Sequence, residues 1–205
     1  MSWYDTFSRF YDASLEDLYR DSRTEAIERL GLARGATVFD LACGTGQNFP
    51  LLRAKVGAEG RIVGIDLSEG MLDVARERIG REGWENVEVR HADVAEADLS
   101  GADAMFCALG FSTFPDWEAV LDRVCAALPE GAVFGVFDVL CERWNPQTTM
   151  VSLLARADLY RPIREAVEAR TVDSAHHWID GSPWVFGGRL FVVTGRIPRH
   201  RSRND

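Results

Sequence analysis

The sequence predicts an α/β fold, a mostly parallel sheet with helices on both faces, and three observations predict it. Short apolar runs rich in β-branched and aromatic residues alternate with stretches of helical period. At residues 36–48, "ATVFDLACGTGQN", an apolar run passes through a carboxylate into two glycines one residue apart, the pattern of a strand feeding a tight turn into a helix. The chain has 205 residues, 46% hydrophobic and 27% charged. That is enough for one sizeable core and short for two full domains.

The elements follow in order. "ATVFDLA" has the length and composition of a short buried strand, and residues 47–56 continue as a helix. "RIVGIDL" is a second strand. "SEGMLDVARERIGREG" is a helix with Ser68 as its N-cap and Met71, Leu72, Ala75 and Ile79 on one face. "NVEVRHAD" and "ADAMFCALG" are a third and a fourth strand. "DWEAVLDRVCAAL" is an amphipathic helix with Val120, Leu121, Val124 and Leu128 inward, and "GAVFGVFDVL" is a fifth strand. Such alternation requires right-handed crossovers and a sheet buried on both faces. Near the end, "SPWVFGGRLFVVTGR" reads as a strand, and no helix separates it from the preceding "VEARTVDSAHHWID". An antiparallel hairpin appended to the parallel sheet is expected there.

Composition excludes several classes. No apolar run approaches the roughly 20 residues that span a bilayer. The first residues, "MSWYDTFSRFYDASLEDLYRD", carry acids and lack the apolar stretch of a signal peptide, so a cytoplasmic location is expected. A net charge of −9 argues against broad nucleic-acid binding. Cys43, Cys107, Cys125 and Cys141 show no C-x-x-C spacing, so neither a zinc site nor a redox pair is expected, but reduced, buried thiols. Lys55 is the only lysine. Arg196, Arg199, Arg201 and Arg203 cluster near the C-terminus, either as a solvated tail or as a weak contact for acidic lipid or another polyanion.

The glycine turn calls for a ligand of a particular kind. In open parallel sheets, ligands sit beyond the carboxyl ends of the strands where strand order reverses. Gly44 and Gly46 accept positive φ and let a ligand approach the backbone. Yet "GTGQNF" puts Phe49 where the dinucleotide fingerprint needs its third glycine, and the P-loop's G-K-[ST] is absent. A pyrophosphate is disfavoured. Asp40, just before the turn, disfavours it again and suits a cationic or amine-bearing ligand. Asp66 ends the second strand, where an acid accepts from both hydroxyls of a ribose. Leu67 and Met71 lie beside it, able to cover an adenine ring. Asp93 ends the third strand as an acceptor for an exocyclic amine. Singly, each acid fits a solvated loop or a helix cap; three at successive strand ends after a glycine turn point to a site.

Together, "VFDLACGTG", "GIDLSEGML" and "HAD" resemble the class I S-adenosylmethionine-dependent methyltransferases, with a likeness that runs from about Ala36 to Val139 and includes "LPEGAVFGVFDV". Ala42 stands in the first glycine position of that family's motif. The resemblance implies a Rossmann-like three-layer sandwich and a seven-stranded sheet with an antiparallel last strand. By position it implies S-adenosyl-L-methionine as co-substrate, without a metal. Asp40, Gly44 and Gly46 then face its methionine part, Asp66 the ribose, and Met71, Asp93 and Val94 the adenine, with Ala42 and Leu67 also among the cofactor-binding positions. Cys107, Ala108 and Leu109 line the floor beneath the sulfonium. One methyltransferase domain over 1–205 is expected, with an N-terminal helical lid segment (1–34), a cofactor-binding core (35–140), and substrate-side helices and a hairpin (141–205).

The acceptor is less constrained. In-line transfer from a sulfonium needs mainly alignment and exclusion of water. "GFSTFPDW" after the fourth strand lacks the Asn/Asp-Pro-Pro-aromatic signature of amide and nucleobase N-methyltransferases, which disfavours nucleic acid. A small-molecule or lipid acceptor is expected. Stretches of the chain resemble phospholipid and betaine-lipid N-methyltransferases, others quinone-ring C-methyltransferases, and a non-catalytic S-adenosylmethionine-binding protein remains a reading of another class. Trp3, Phe7 and Phe10 share one helical face, as a helix packed on the sheet or as a lid whose Tyr11 reaches the substrate. His176 and His177 are adjacent on a strand, so at most one faces a site.

Overall fold

The computed structural model describes residues 19–144, 146–179 and 188–199. Helix α1 occupies residues 19–29. Strand β1 (Thr37–Leu41) leads through the glycine turn to α2 (Phe49–Val56), β2 (Arg61–Asp66), α3 (Glu69–Glu82) and β3 (Val87–His91). Then come β4 (Ala104–Ala108), α4 (Trp117–Ala127), β5 (Val133–Leu140), α5 (Pro146–Ala155), α6 (Ile163–Arg170), β6 (Val172–Trp178) and β7 (Arg189–Arg196).

These strands make one seven-stranded sheet in the order β3-β2-β1-β4-β5-β7-β6. Pairs among β1 to β5 are parallel, and β7 runs antiparallel to both β5 and β6. The expected hairpin is therefore present, with its second strand inserted between β5 and β6. Burial explains the insertion. Six consecutive positions of β7 are buried, whereas β6 is exposed at six of its seven residues. The apolar strand takes the covered place and the polar one, "VDSAHHW", takes the edge. The sequence reading ran this strand back through "VEAR", but Val167–Arg170 close α6 instead.

Alternation along the strands divides the core into two layers. Val38, Ile62, Ala104, Phe106 and Phe137 point to one face and pack with Ile27 of α1 and Leu30 just after it, Leu52 and Val56 of α2, and Leu72 and Ala75 of α3. Phe39, Leu41, Val63, Ile65, Met105 and Val136 point to the other, against Val120, Leu121 and Val124 of α4 and Val167 of α6. Helix starts obey local rules. The Ser68 hydroxyl accepts from Met71 N at 3.3 Å, and the Asp116 carboxylate accepts from Ala119 N at 3.4 Å. On α3, Met71, Leu72 and Ala75 are buried as the spacing predicts, Ile79 is half-buried, and Arg78 is buried beside them.

Strand order reverses between β1 and β4, which run away from each other to β2 and to β5. The loops after β1, β2 and β4 thus meet at one edge of the sheet, the edge where an open α/β sheet takes its ligand.

Candidate functional site

The turn after β1 is built on left-handed backbone. Gly44 has φ +56° and Gly46 φ +77°, and Ala42, in the place of a first glycine, adopts φ +53°. An alanine there carries strain of about 1 kcal/mol. The turn is tied to β2 twice: Cys43 N donates to the Ile65 carbonyl at 3.0 Å, and Gly44 N donates to Asp66 Oδ2 at 2.8 Å. From α3, the buried Arg78 donates through Nε to the Thr45 carbonyl at 3.2 Å.

Phe49, in the third-glycine position, is wholly buried. Its ring lies where a Cβ on Gly46 would come within 2.5 Å and a Cβ on Gly64 within 2.6 Å. The dinucleotide fingerprint uses its third glycine to let the helix approach the strand. Here the space is left by Gly46 and by Gly64 of β2, and a phenyl ring fills it. Above Gly44, by contrast, a Cβ would meet nothing within 4 Å.

The three acids at strand ends have different surroundings. Asp66 accepts from Gly44 N through one oxygen and from Ser68 N at 2.9 Å through the other. Burial is the main cause that raises its pKa, and those backbone donors oppose it. Each oxygen keeps a lone pair for a further donor. Asp40 is wholly buried and points to the α1–α2 face. Asn48 Nδ2 donates to both its oxygens, at 2.9 and 3.2 Å, and Arg23 of α1 donates to Asn48 Oδ1 at 2.9 Å. Burial pushes the Asp40 pKa up to about 7 against the Asn48 hydrogen bond and the Arg23 charge. Asp40 was expected to face a ligand directly; in this structure Asn48 stands on it. Asp93 is exposed, and its Oδ1 accepts from Ala95 N at 2.8 Å, a turn that buries Val94 in the core.

Leu67 and Met71 separate. Leu67 precedes the Ser68 cap and stands 66% exposed at the edge, whereas Met71, in the first turn of α3, is buried. His91 fixes the Leu67 backbone, its Nε2 donating to the Leu67 carbonyl at 2.9 Å.

On the β4 side, Cys107 and Ala108 are buried, and Leu109 leaves the strand at φ +59° with its N donating to the Phe137 carbonyl at 2.7 Å. Burial, with Asp138 and Asp40 behind it, lifts the Cys107 thiol well above its ordinary pKa. Asp138 stands close to this loop and is not among the residues the sequence singles out. It is wholly buried in β5, accepts from Ser112 N at 3.1 Å and from Val139 N at 2.8 Å, and is pushed up to about 6, first by burial. The same loop is held from below by Arg161, whose Nη1 donates to the carbonyls of Phe111 and Phe114 at 2.8 and 2.6 Å. A lone carboxylate inside "VFGVFDVL" was the available signal. For Asn48 and Arg23 there was none, because 25 residues separate the partners.

The remaining candidates fall elsewhere. Tyr11, with Trp3, Phe7 and Phe10, lies outside the described residues, as do Arg201 and Arg203. Arg196 donates to the Gly131 carbonyl at 2.9 Å and Arg199 meets Glu130 at 2.8 Å, so these two bind the protein itself. His176 sits on the edge strand with Nδ1 2.6 Å from Glu168. Cys43, Cys107 and Cys141 are buried and Cys125 is half-buried. Among the described residues, no group of three His, Cys, Asp or Glu side chains is placed to hold a metal ion. No helix among them is long and apolar enough to cross a membrane.

Residues 38–131 match a family model described as a methyltransferase domain. Over 118 residues, 57% of this chain and 50% of the relative, the sequence is 29% identical to the demethylmenaquinone methyltransferase of Listeria welshimeri. The chain thus spans about half the length of curated relatives such as this one. Among solved structures, it matches a chain of the complex between the Haloferax volcanii Trm112 methyltransferase activator and a methyltransferase with TM-score 0.78 and 18% identity, over 97% of this chain and 99% of that one. It matches the geranyl diphosphate C-methyltransferase of Streptomyces coelicolor A3(2), solved with Mg2+, geranyl diphosphate and S-adenosyl-L-homocysteine, with TM-score 0.75 and 13% identity, over 96% and 85%. At these identities the solved structures share the fold.

Proposed function

We propose that this chain is a class I S-adenosylmethionine-dependent methyltransferase that transfers the methyl group of S-adenosyl-L-methionine to a small apolar acceptor, a quinone ring carbon being the favoured target. The observation that carries the donor assignment is the Asp66 carboxylate, held on the Gly44 amide at the point where strand order reverses. The quinone reading is supported by the curated relatives, which are named demethylmenaquinone methyltransferases.

The residues fit the donor. The space above Gly44 admits a ligand against the backbone, and the remaining lone pairs of Asp66 suit two ribose hydroxyls. The exposed Leu67 side chain covers one face of an adenine, with Met71 and Val94 behind it and Asp93 to accept from the exocyclic amine. Asp40, Asp66 and Asp138 are buried acids around one edge whose pKa values burial raises; a cationic ammonium or sulfonium beside them would draw them back to the charged form, whereas a pyrophosphate would not. Bound there, the donor would supply a methyl group already activated for in-line displacement. The chain's task is then alignment and dryness. Asn48 and Arg23 fix the turn from α1 and α2, Asp138 and Arg161 fix the loop after β4, and Cys107, Ala108 and Leu109 form an apolar floor.

The test is transfer of a tritiated methyl group from S-adenosyl-L-methionine to a short-chain demethylated quinol, with phosphatidylethanolamine as the competing acceptor. Label on the quinol ring carbon is expected. Label on the phospholipid nitrogen, with none on the ring, would contradict the quinone reading and leave the donor reading standing.

A further inference from the structure

Helix α5 follows directly from the carboxyl end of β5. Its ten residues, "PQTTMVSLLA", carry no charge. The buried hydroxyl of Thr148, 3.3 Å from Cys141 Sγ, holds its inner side to the end of β5. Beside the exposed Gln147 and Thr149, it turns large apolar side chains outward: Met150 is 54% exposed and Leu153 75%, and Trp144, just before the helix, is 71% exposed. The Trp144 Nε1 donates to Thr149 Oγ1 at 3.0 Å. The indole's polar atom is thereby satisfied within the protein, and the ring presents hydrocarbon to its surroundings.

The charges that flank this face are unlike those elsewhere on the molecule. Arg143 and Arg156, one at each end of α5, are exposed. Other described arginines meet acids, backbone carbonyls or aromatic rings: Arg61 pairs with Glu88, Arg76 with Glu69 and Asp73, Arg170 with Asp122, and Arg189 lies over Trp178. Among the described residues, Arg143 and Arg156 have no such partner. The acids nearest this segment are Glu142 and Asp158, and Asp158 meets Arg161 at 3.5 Å, so Arg143 and Arg156 against Glu142 leave this face slightly cationic on a chain of net charge −9.

We propose that the α5 face is a docking surface for an anionic lipid bilayer. Apolar side chains at the centre of a helix with cations at both ends match the acyl boundary and the headgroup layer of such a membrane, respectively. A tryptophan beside them fits the interface between the two. Charge complementarity favours this occupant over a second copy. An isologous dimer through α5 would bring two arginine pairs to one interface, with a single Glu142 from each copy to offset them. The helix is too short to span and lies on the surface. The inference stands on this face alone and does not require the methyl-transfer reading. If both hold, the membrane lies at the same edge of the sheet as the acceptor.

The experiment is co-sedimentation of the full chain with vesicles of phosphatidylcholine alone and of phosphatidylcholine mixed with phosphatidylglycerol, across a salt series. The variants are Arg143→Glu/Arg156→Glu and Met150→Asp/Leu153→Asp, each checked by thermal melting. Binding to the mixed vesicles, weakening with salt and falling at least about tenfold in either variant at unchanged melting temperature, is expected. Equal binding to phosphatidylcholine alone, or binding to neither, would overturn the proposal. So would variants that bind as the unmodified chain does, because residues 196–203 would then carry the charge. A dimer in sedimentation velocity that Leu153→Asp breaks, with no vesicle binding, would assign the face to a second copy.

Discussion

The carboxyl edge of the sheet treats polar groups differently at its two ends. At the β1–β2 end, carboxylates are drawn inward and matched: Asp66 by two backbone amides, Asp40 by Asn48 and through it Arg23. At the β5–α5 end, Asp138 is buried and matched too, but the chain beyond it puts hydrocarbon outside and, among the described residues, leaves Arg143 and Arg156 without a partner. The proposed donor site lies at the first end, and the proposed membrane-docking face at the second.

The largest expected effect tests whether the glycine turn is held by packing or only by backbone freedom. Gly46→Val places side-chain carbon in the Phe49 ring and forces a β-branched residue to φ +77°. A loss of about 3 kcal/mol or more in urea unfolding is expected. Gly44→Ala, with open space at its Cβ, should lose only about 1 kcal/mol. Equal losses would remove the distinction between the two glycines.

Next in size is the pH dependence of stability. Asp40 titrates at about 7 in the folded chain and at about 3.9 when unfolded. The folded state therefore binds the proton more tightly. The stabilisation is fully present below about pH 4, falls as pH rises, and is gone above about 7. Asp138, pushed up to about 6, adds a decline of the same sign that ends earlier. Asp40→Asn should flatten the slope most visibly between pH 6 and 7, with a stability gain over the unmodified chain at high pH on the order of a few kcal/mol. A parallel slope in denaturant melts at stepped pH would show that Asp40 is ionised throughout.

Asp66→Ala should weaken S-adenosyl-L-homocysteine binding by at least about 1.5 kcal/mol, roughly tenfold in dissociation constant. An unchanged constant in a folded variant would move the ribose away from the end of β2. At the small end, Arg76→Ala breaks the exposed pairs with Glu69 and Asp73 and should cost about 0.5 kcal/mol or less, diminishing with salt.

The same contrast separates what was legible in the sequence from what was not. Strands β1 to β5 and helices α2 to α4 follow from period and caps, because each is decided within its own residues. Gly44, Gly46 and Asp66 were legible for that reason: positive φ and a carboxylate at a strand end are local. The orientation of Asp40 was not, because Asn48 reaches it from the start of α2 and Arg23 from α1. The insertion of β7 between β5 and β6 was not read either, since it depends on which of two distant strands has the greater apolar surface to bury. Helices α5 and α6 were anticipated only as substrate-side helices. The lack of charge in "PQTTMVSLLA" was visible, but only the fold puts Met150 and Leu153 outward.

The central claim is that the β1–β2 end of this edge binds the donor of a methyl group rather than a nicotinamide dinucleotide. Titration calorimetry of the unmodified chain with S-adenosyl-L-homocysteine and, separately, with NADH tests it most directly. Micromolar or tighter binding of S-adenosyl-L-homocysteine and no heat from NADH is the predicted result; binding of NADH without S-adenosyl-L-homocysteine would contradict it.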